Sequence, residues 1–404
     1  MTVSTSRELS DEADMASYRL LVVGTSGGGG DLQPLVAIAA GSRERGHAVI
    51  AFGDGSVGAT MADLGVETMV AGSEHDLGAL YAAAALEAAN WSKDDESKHF
   101  VGRLQGWAER LAPAIGSAVE RYKPDILVTS LFGSAAVRLA AERHSLPWMA
   151  VNSTFYIGPN PPRSPELDFG ARAPVFREFF APNLHKATLV LHASDREFDF
   201  GFSGLPAHHQ YVGPLFYSPP THSPAWLDEP GDPWVLVTLS SHTQDDLPIA
   251  RAAVAALSEL PVRVILTVGE HTGQSLGQTP SNVRIERYIA HGHVLERAAL
   301  MVSHAGHGSV MRALWHGVPM VLVPWGRDQG GVAARAEHLG VAAVISRGEL
   351  TDEQLARVAS RILSDPAVRQ QAGAVSKRLQ RDDPVATACT LIASLKRTSG
   401  TAGS

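Results

Sequence analysis

The sequence predicts an α/β protein in which two doubly wound parallel-sheet domains face a cleft. Its 404 residues exceed one ordinary hydrophobic core and suit two domains of about 150–200 residues each. Short apolar runs alternate with longer amphipathic stretches, which is the pattern of βαβ units that feed a parallel sheet. This pattern occurs twice, and a proline-rich segment separates the two occurrences.

The first series of βαβ units predicts an N-terminal domain over residues 18–214. Its helical pattern is clear at Leu32–Arg45 and at Val101–Arg121. The predicted strands of this domain are the apolar runs Tyr18–Val23, Ala48–Phe52, Asp125–Thr129, Trp148–Val151 and Thr188–His192. Together they indicate one doubly wound sheet.

The second series predicts a C-terminal domain over residues 234–396. The tail from Thr351 to Lys396 has helical periodicity, and Thr351 is placed to cap its first helix ahead of two acidic residues. The predicted strands of this domain are Trp234–Leu239, Val262–Val268, Val283–Tyr288, Leu300–Ser303, Met320–Val323 and Ala342–Ile345. A second parallel sheet follows from this pattern.

Residues 215–233 form the predicted interdomain linker. They contain five prolines, which suit neither a helix interior nor a central strand. We expect a disordered tail over residues 1–17 and a frayed tail over residues 397–404. The last helix either completes the second domain or packs back on the first.

Composition excludes several classes of partner. The formal charge of −8 offers no basic footprint for nucleic acid. Cys389 is the single cysteine, which excludes an intrachain disulfide and fits a reducing, cytoplasmic location. Residues 1–17 are polar and acidic, unlike a signal peptide, and no apolar run approaches the roughly 20 residues that span a bilayer.

The segment Ser303–Gln329 carries the most chemical information. It reads as a strand, a glycine turn, a short helix capped by Gly317, another strand and a polar loop. Gly306 and Gly308 allow a ligand to approach the backbone, and the helix that opens near Ser309 presents free amides and a favourable dipole. An anion such as a diphosphate would fit there.

His304 stands between the strand and this turn. Its ring could donate a hydrogen bond to a phosphate oxygen as negative charge builds on a departing nucleotide. A satisfied core histidine is the alternative, because histidine is common at partly buried turns.

Two motifs resemble those of family 1 glycosyltransferases of the two-Rossmann (GT-B) type, above all the bacterial members that decorate antibiotics and other natural products. The stretch from Gly27 to Val49 looks like the glycine-aspartate-x-x-proline start of the acceptor domain. The longer match is His304-x-Gly306-x-Gly308-Ser309, then Gly317-Val318-Pro319, Pro324 and Asp328-Gln329. The resemblance implies a metal-independent, inverting transfer from a UDP- or dTDP-sugar to a small-molecule acceptor, without a separate cofactor.

The resemblance also implies roles for individual residues of the second domain. His304 and the residues Gly306, His307, Gly308 and Ser309 would hold the donor diphosphate, with Ser241 as a further phosphate contact. Asp328 and Gln329 would bind hydroxyls of the transferred sugar, although both could instead cap the next helix. Ile289 lies in the segment expected at the nucleobase, and Arg312 stands where relatives that favour UDP often carry a glutamate for the ribose.

The acceptor must lose a proton when its oxygen attacks, so a base is expected in the first domain. The resemblance points to Asp31, an aspartate position in some antibiotic glycosyltransferases, whereas the histidine–aspartate dyad of many relatives looks absent. Asp31 is equally a natural N-cap for the helix that begins at Leu32. An unperturbed carboxylate, with a pKa of about 3.9, is a weak base for an alcohol, and burial would strengthen it.

Several alternatives are weighed against this interpretation. The glycines Gly24 and Gly27–Gly30 lack the G-x-G-x-x-G spacing of NAD sites. His291, His293, His304 and His307 serve two different strand ends, which disfavours a shared metal. Aromatic residues that could line an acceptor pocket are Trp91, Trp107, Phe132, Phe155 and Tyr156, with the loop 158–165. A catalytically silent donor-binding partner, a nucleotide-sugar epimerase and a homodimer remain open.

Overall fold

A computed structural model of the chain describes residues 17–25, 30–88, 93–218, 221–240, 244–269 and 279–401. Within these ranges, two parallel β-sheets lie in two α/β domains, one sheet of seven strands and one of six. Every strand pair recorded in both sheets is parallel. The predicted fold class, with two doubly wound parallel sheets, is confirmed.

The first sheet has the strand order β3-β2-β1-β4-β5-β6-β7. Its strands are β1 (Arg19–Val23), β2 (Ala48–Gly53), β3 (Thr68–Val70), β4 (Ile126–Ser130), β5 (Trp148–Asn152), β6 (Leu189–His192) and β7 (His209–Tyr211). The strand order reverses beside β1, which lies between β2 and β4. In open α/β sheets, ligands bind outside the carboxyl ends of strands at such a switch point.

The helices of the first domain pack on both faces of this sheet. They are α1 (Leu32–Glu44), α2 (Gly55–Ala62), α3 (Leu77–Ala88), α4 (Lys93–Tyr122), α5 (Ser134–His144), α6 (Pro165–Phe169), α7 (Ala173–Val175) and α8 (Ala181–His185). The predicted helix at Leu32–Arg45 is confirmed as α1, and the one at Val101–Arg121 is the C-terminal part of the longer α4. Short helical turns fill residues 165–185 and bring several aromatic side chains into the interior.

The second sheet has the order β10-β9-β8-β11-β12-β13. Its strands are β8 (Trp234–Thr238), β9 (Arg263–Thr267), β10 (Val283–Glu286), β11 (Ala298–Ser303), β12 (Met320–Leu322) and β13 (Ala342–Val344). The helices after β8 are α9 (Leu247–Ser258), α10 (His291–Leu295), α11 (His307–His316), α12 (Gln329–His338), α13 (Asp352–Ser364), α14 (Pro366–Leu379) and α15 (Pro384–Thr401). Among the described residues, no helix is long and apolar enough to cross a membrane.

Two helix caps lie where the sequence predicts them, at the start of α13 and at the end of α11. The Oγ1 of Thr351 accepts a hydrogen bond from the Gln354 amide at 3.1 Å, so the predicted cap of α13 is confirmed. Gly317 ends α11 with φ of 68°, in the left-handed region where glycine has no steric penalty.

All eleven predicted strands are present, but β3 and β7 were not predicted. Each has three residues and lies at an edge of the first sheet. Their residues are partly exposed and too few to show an alternating pattern. Their strand conformation depends on pairing with β2 and β6, which sequence periodicity does not report.

The last helix packs on the first domain. In α15, Cys389 lies against α1, with its Sγ 3.6 Å from the Ser42 Oγ. Lys396 Nζ lies 3.3 Å from an oxygen of Asp125, next to β4. The preceding helix α14 packs instead on α11 of the second domain. The chain therefore returns to the first domain after completing the second.

Candidate functional site

A cavity of about 910 Å³ lies between the two domains, where loops after the parallel strands of both sheets converge. The first domain contributes residues that follow β1, β4 and β5 to its lining. The second domain contributes residues that follow β8, β11 and β12. These loops stand at the carboxyl ends of the strands, which is the usual place of ligands in this kind of sheet.

Asp31 precedes α1, and its side chain lines the cavity instead of capping the helix. Its carboxylate makes no capping hydrogen bond to the first turn of α1. The side chain is buried, and within the described ranges Oδ2 has no hydrogen-bond partner. Burial raises the pKa of Asp31 to about 8, and the charge of Asp328 adds to this rise. At that pKa, the carboxylate is a far stronger base than an ordinary aspartate.

Asp31 and Asp328 line the same space from opposite domains. Asp31 follows β1, and Asp328 lies in the loop between β12 and α12. Burial raises the pKa of Asp328 as well, and the nearby Thr154 hydroxyl offsets part of the rise. Arg327, in the same loop, lowers the pKa of both carboxyls. A proton on either carboxyl relieves their mutual repulsion, so the titrations of the two groups depend on each other.

The turn between β11 and α11 has an unusual backbone. Ala305 has φ of 67°, a left-handed conformation that costs a residue with a Cβ about 1–2 kcal/mol. Gly306 has an ordinary φ of −62°, but a Cβ there would lie 2.5 Å from Nε2 of His304. The motif therefore requires glycine at 306 because the histidine ring occupies that space.

We expect Gly306→Ala to lower the free energy of unfolding by about 1–3 kcal/mol, because the added methyl group overlaps a buried ring. Gly308→Ala is the matched control. At Gly308 nothing lies within 4 Å of the Cβ position, and alanine stabilises a helix by up to about 1 kcal/mol relative to glycine. Chemical denaturation of both variants measures the difference, and equal losses would contradict the close-approach role of Gly306.

His304 lines the cavity directly ahead of this turn. Its side chain is buried, and Nδ1 lies 3.9 Å from an oxygen of the buried Asp246. Burial lowers the pKa of His304 to about 4, although Asp246 acts in the opposite direction. The ring is therefore neutral near pH 7 in the unliganded protein.

Gln329 belongs to a chain of buried hydrogen bonds that supports the loops around His304. Its Oε1 accepts from the backbone N–H groups of Trp325 and Gly326 at 2.8 and 3.0 Å. Its Nε2 donates to Gln244 at 2.9 Å, and Gln244 donates in turn to Asp246 at 3.1 Å. Among the residues that the structure describes, one Nε2 hydrogen of Gln329 has no acceptor, so the amide both fixes the loop and faces the cavity.

Of the other residues predicted to bind the donor, some line the cavity and others do not. Gly306, Gly308, Ser309 and His307 line the cavity, and burial lowers the pKa of His307 to about 3. The side chain of Ile289 is buried in the hydrophobic core and is not part of the cavity lining. Ser241 and the glycines at 27–29 lie outside the described residues.

One wall of the cavity is aromatic. Its rings come from Tyr81, Phe100, Phe132, Phe176, Phe180 and Phe216. The sequence identified Phe132, but Trp107, Phe155 and Tyr156 are not part of this lining: all three are buried elsewhere. Trp91 lies outside the described residues. Most of the wall comes from helices whose aromatic residues look like ordinary core in the sequence.

A buried ion cluster joins the two domains. Arg335 of α12 is 0% exposed and donates to Asp199 at 2.8 Å and to Asp168 at 3.0 Å, both in the first domain. Its guanidinium stacks 3.7 Å from the centre of the Phe155 ring. Asp199 also accepts from the Tyr211 hydroxyl at 2.8 Å. No motif in the sequence indicates this cluster, because Arg335 lies 136 and 167 positions from its partners.

The histidines weighed as metal ligands have other neighbours. His291 lies 3.2 Å from the hydroxyl of Thr267, and His293 lies 3.1 Å from that of Thr221. In the part of the chain that the structure describes, no three His, Cys, Asp or Glu residues are grouped to hold a metal ion.

Residues 251–393 match a family model described as erythromycin biosynthesis protein CIII-like, C-terminal domain. The chain is 30% identical to demethyllactenocin mycarosyltransferase of Streptomyces fradiae, over 50% of this chain and 44% of that protein. It is 25% identical to 4'-demethylrebeccamycin synthase of Lentzea aerocolonigenes, over 93% of this chain and 99% of that protein. The first match thus spans less than half of the relative's length, and the second spans nearly all of it.

Solved structures show the same architecture. The glycotransferase of kitacinnamycin superposes with a TM-score of 0.76 at 22% identity, covering 94% of this chain and 99% of that one. The glycosyltransferase VinC, solved in complex with DTDP, superposes with a TM-score of 0.69 at 20% identity, covering 94% and 100%. The resemblance predicted from the motifs is therefore confirmed: the chain has the GT-B fold of these glycosyltransferases, and residues 251–393 within its second domain are similar to the erythromycin biosynthesis protein CIII-like C-terminal domain.

Proposed function

We propose that this protein transfers a sugar, with inversion and without a metal, from a UDP- or dTDP-sugar to a small-molecule natural-product acceptor. One observation carries the proposal: Asp31 of the first domain and the turn before α11 of the second line a single cavity. A base and an anion-binding helix end thus face each other across a space large enough for two substrates. The names of the relatives, which include a mycarosyltransferase, support the same chemistry.

The donor occupies the second domain in this proposal. Its diphosphate lies against the free amides at residues 307–309, where the dipole of α11 favours negative charge. Asp328 and the remaining Nε2 hydrogen of Gln329 bind hydroxyls of the transferred sugar. His304 stands beside the phosphate that leaves.

Donor binding also favours the protonated form of His304. The neutral ring has one N–H, whereas the imidazolium has two, so it can donate to Asp246 from Nδ1 and to a phosphate from Nε2. A diphosphate adds negative charge beside the ring and so opposes the effect of burial on its pKa. His304 then stabilises the charge that develops on the leaving group.

The transfer is a single displacement. The acceptor oxygen forms a bond to the anomeric carbon from one face, while the bond from that carbon to the phosphate oxygen breaks on the other. The nucleoside diphosphate leaves with the bonding electron pair, and Asp31 takes the proton of the acceptor hydroxyl. With a pKa of about 8, the Asp31 carboxylate can accept that proton at an early stage of the attack.

The aromatic wall supports an acceptor with a large apolar surface, such as a polyketide, macrolide, aromatic or peptide aglycone. Aromatic rings offer a flat, rigid contact surface, which suits ligands that are largely apolar. Two charged residues, Glu96 and Arg172, also line this region and form an ion pair at 3.2 Å.

Thermal melting with UDP, dTDP, ADP and NAD tests the donor site. Saturating UDP or dTDP is expected to raise the melting temperature, because ligand at about 100 times its dissociation constant adds about 2.7 kcal/mol of stability. Stabilisation by NAD alone, or by none of the four, would contradict the proposal. Nucleotide binding without transfer to any of a broad panel of acceptors would favour the catalytically silent donor-binding partner.

His304→Ala is expected to lower kcat by about 10²–10³, the usual effect of losing one donor that stabilises developing charge. It is also expected to reduce the stabilisation by UDP or dTDP. His293→Ala is the matched control, because His293 contacts Thr221 and is not part of the cavity lining. Normal kinetics in the His304 variant would refute its assignment.

A further inference from the structure

Arg312 lies at the junction of both domains and the linker. It belongs to α11 and lines the cavity. Its Nη2 donates to the backbone carbonyl of Tyr217 at 3.2 Å and to Oε1 of Gln33 at 3.5 Å. Its guanidinium stacks on Phe216 at 4.4 Å from the ring centre. These contacts hold the group in one place, at the linker and the first turn of α1.

Within the described ranges, the charge of Arg312 is not balanced by a carboxylate. Among the described residues, no Asp or Glu forms an ion pair with this guanidinium. Burial lowers its pKa, and its charge contributes to lowering the pKa of His291 and of His316. A cation in this setting is costly unless an anion joins it, and stacking on one ring recovers only about 0.5–2 kcal/mol.

The helix places Arg312 on the same face as Gly308, because residues four apart lie one above the other. Long side chains in helices lean towards the N-terminus, so the arginine stem points to the end of α11 where the amides are free. A Cβ on Gly30, at the start of α1, would lie 3.9 Å from the backbone of Gly308. The first turns of α1 and α11 therefore meet at this point. Gln33 lies in the first turn of α1, and Arg312 lies one turn further along α11.

We propose that Arg312 binds phosphoryl oxygens of the nucleoside diphosphate and, through Gln33 and the Tyr217 carbonyl, connects the bound nucleotide to the first domain and the linker. This inference rests on the proposed function and extends it to a residue where the sequence departs from its relatives. In the described part of the chain, the hydrogen bonds of the guanidinium come from Nη2, so Nη1 and Nε can donate to an oxyanion. The ligand supplies the negative charge that the protein lacks here.

Isothermal titration calorimetry of the wild type and of Arg312→Gln tests this inference, with UDP, dTDP, uridine, thymidine and inorganic pyrophosphate as ligands. Loss of a charge-assisted contact is expected to weaken binding of the diphosphates by about 10-fold to 100-fold. Binding of the uncharged nucleosides is expected to stay the same. Arg312→Lys should retain part of the affinity, because it keeps the charge without the planar fork.

Arg347→Gln is the matched control. Arg347 also stacks on an aromatic ring, at 4.2 Å from the centre of Trp325, but it is not part of the cavity lining. The apo melting temperature of Arg312→Gln should stay close to that of the wild type, because the guanidinium is only partly buried and its removal breaks no ion pair among the described residues. A lower melting temperature with equal losses for nucleosides and diphosphates would show a structural role and overturn the inference.

The outcomes separate this inference from the proposed function. A wild type that binds none of the diphosphates contradicts the proposed donor site and the inference with it. A wild type that binds UDP or dTDP, with an Arg312→Gln variant of unchanged affinity, contradicts the inference alone.

Discussion

Replacement of Asp31 by asparagine is expected to lower kcat by about 10²–10⁴, the range that general base catalysis contributes. Asparagine keeps the shape of the side chain but cannot accept the proton of the acceptor. The same replacement is expected to raise the melting temperature at pH 7.5, because the wild type must take up a proton or bury a charge at Asp31 when it folds, and the amide needs neither. Loss of activity together with a gain of stability separates a catalytic carboxylate from a structural one.

The pH dependence of both effects follows from the raised pKa of Asp31. Below about pH 4 the carboxyl is protonated in both the folded and the unfolded chain, so it does not affect stability. From there to about pH 8 the unfolded chain ionises while the folded protein holds its proton, so the wild type loses stability as pH rises. The advantage of Asp31→Asn should therefore grow over this range, and kcat/KM of the wild type should rise with pH through about 8.

Two variants serve as controls for Asp31. Glu96→Gln removes another carboxylate that lines the cavity, one that is already paired with Arg172, and it should lower kcat far less than Asp31→Asn does. Asp328→Asn removes a charge that raises the pKa of Asp31, so the rise of kcat/KM should move to lower pH. If Asp31→Asn turned over as fast as the wild type, the general base would have to be another residue.

Replacement of Arg335 by leucine is expected to lower the free energy of unfolding by about 3–5 kcal/mol. Asp199 would remain buried without its cation, and Asp168 would keep only the partly exposed Arg163 at 3.2 Å. Breaking one side of a buried ion pair typically costs about that much. Burial already raises the pKa of Asp168, and Arg335 counters part of that rise. The variant should therefore also favour a protonated Asp168. Urea denaturation at pH 7 measures the loss.

The Arg378–Asp195 pair provides the matched control for Arg335. It also connects the second domain to the first, with a distance of 2.6 Å, but its side chains are 28% and 21% exposed. Because water screens such a pair, Arg378→Leu should cost about 1 kcal/mol or less. If both leucine variants lost a similar free energy of unfolding, burial of the Arg335 cluster would not make it more important for stability than the more exposed pair.

The fold could be predicted from the sequence because its determinants are local. Central strands such as Leu20–Val23 and Val235–Val237 are continuous apolar runs, buried on both faces, which periodicity detects directly. The turn before α11 was recognised in the same way, because Gly306, Gly308 and Gly317 stand at fixed positions around an amphipathic helix.

The remaining features depend on contacts between distant parts of the chain. Arg335 looks like an exposed helical arginine in the sequence, and its partners lie 136 and 167 positions away. Asp31 has the sequence pattern of a helix cap, and its pKa is raised by burial that only the folded chain provides and by the charge of Asp328 in the opposite domain. The aromatic wall likewise comes from separate helices and a turn of the first domain and from Phe216 of the linker.

The return of α15 to α1 affects how the chain can fold during synthesis. Part of the surface of α1, around Gly41 and Ser42, is covered by Val385 and Cys389, which are made more than 340 residues later. Domains usually fold as units while the ribosome elongates the chain, starting at the N-terminus. Here the domain that is translated first is the last to be completed, so its apolar surface stays open while the entire second domain is made.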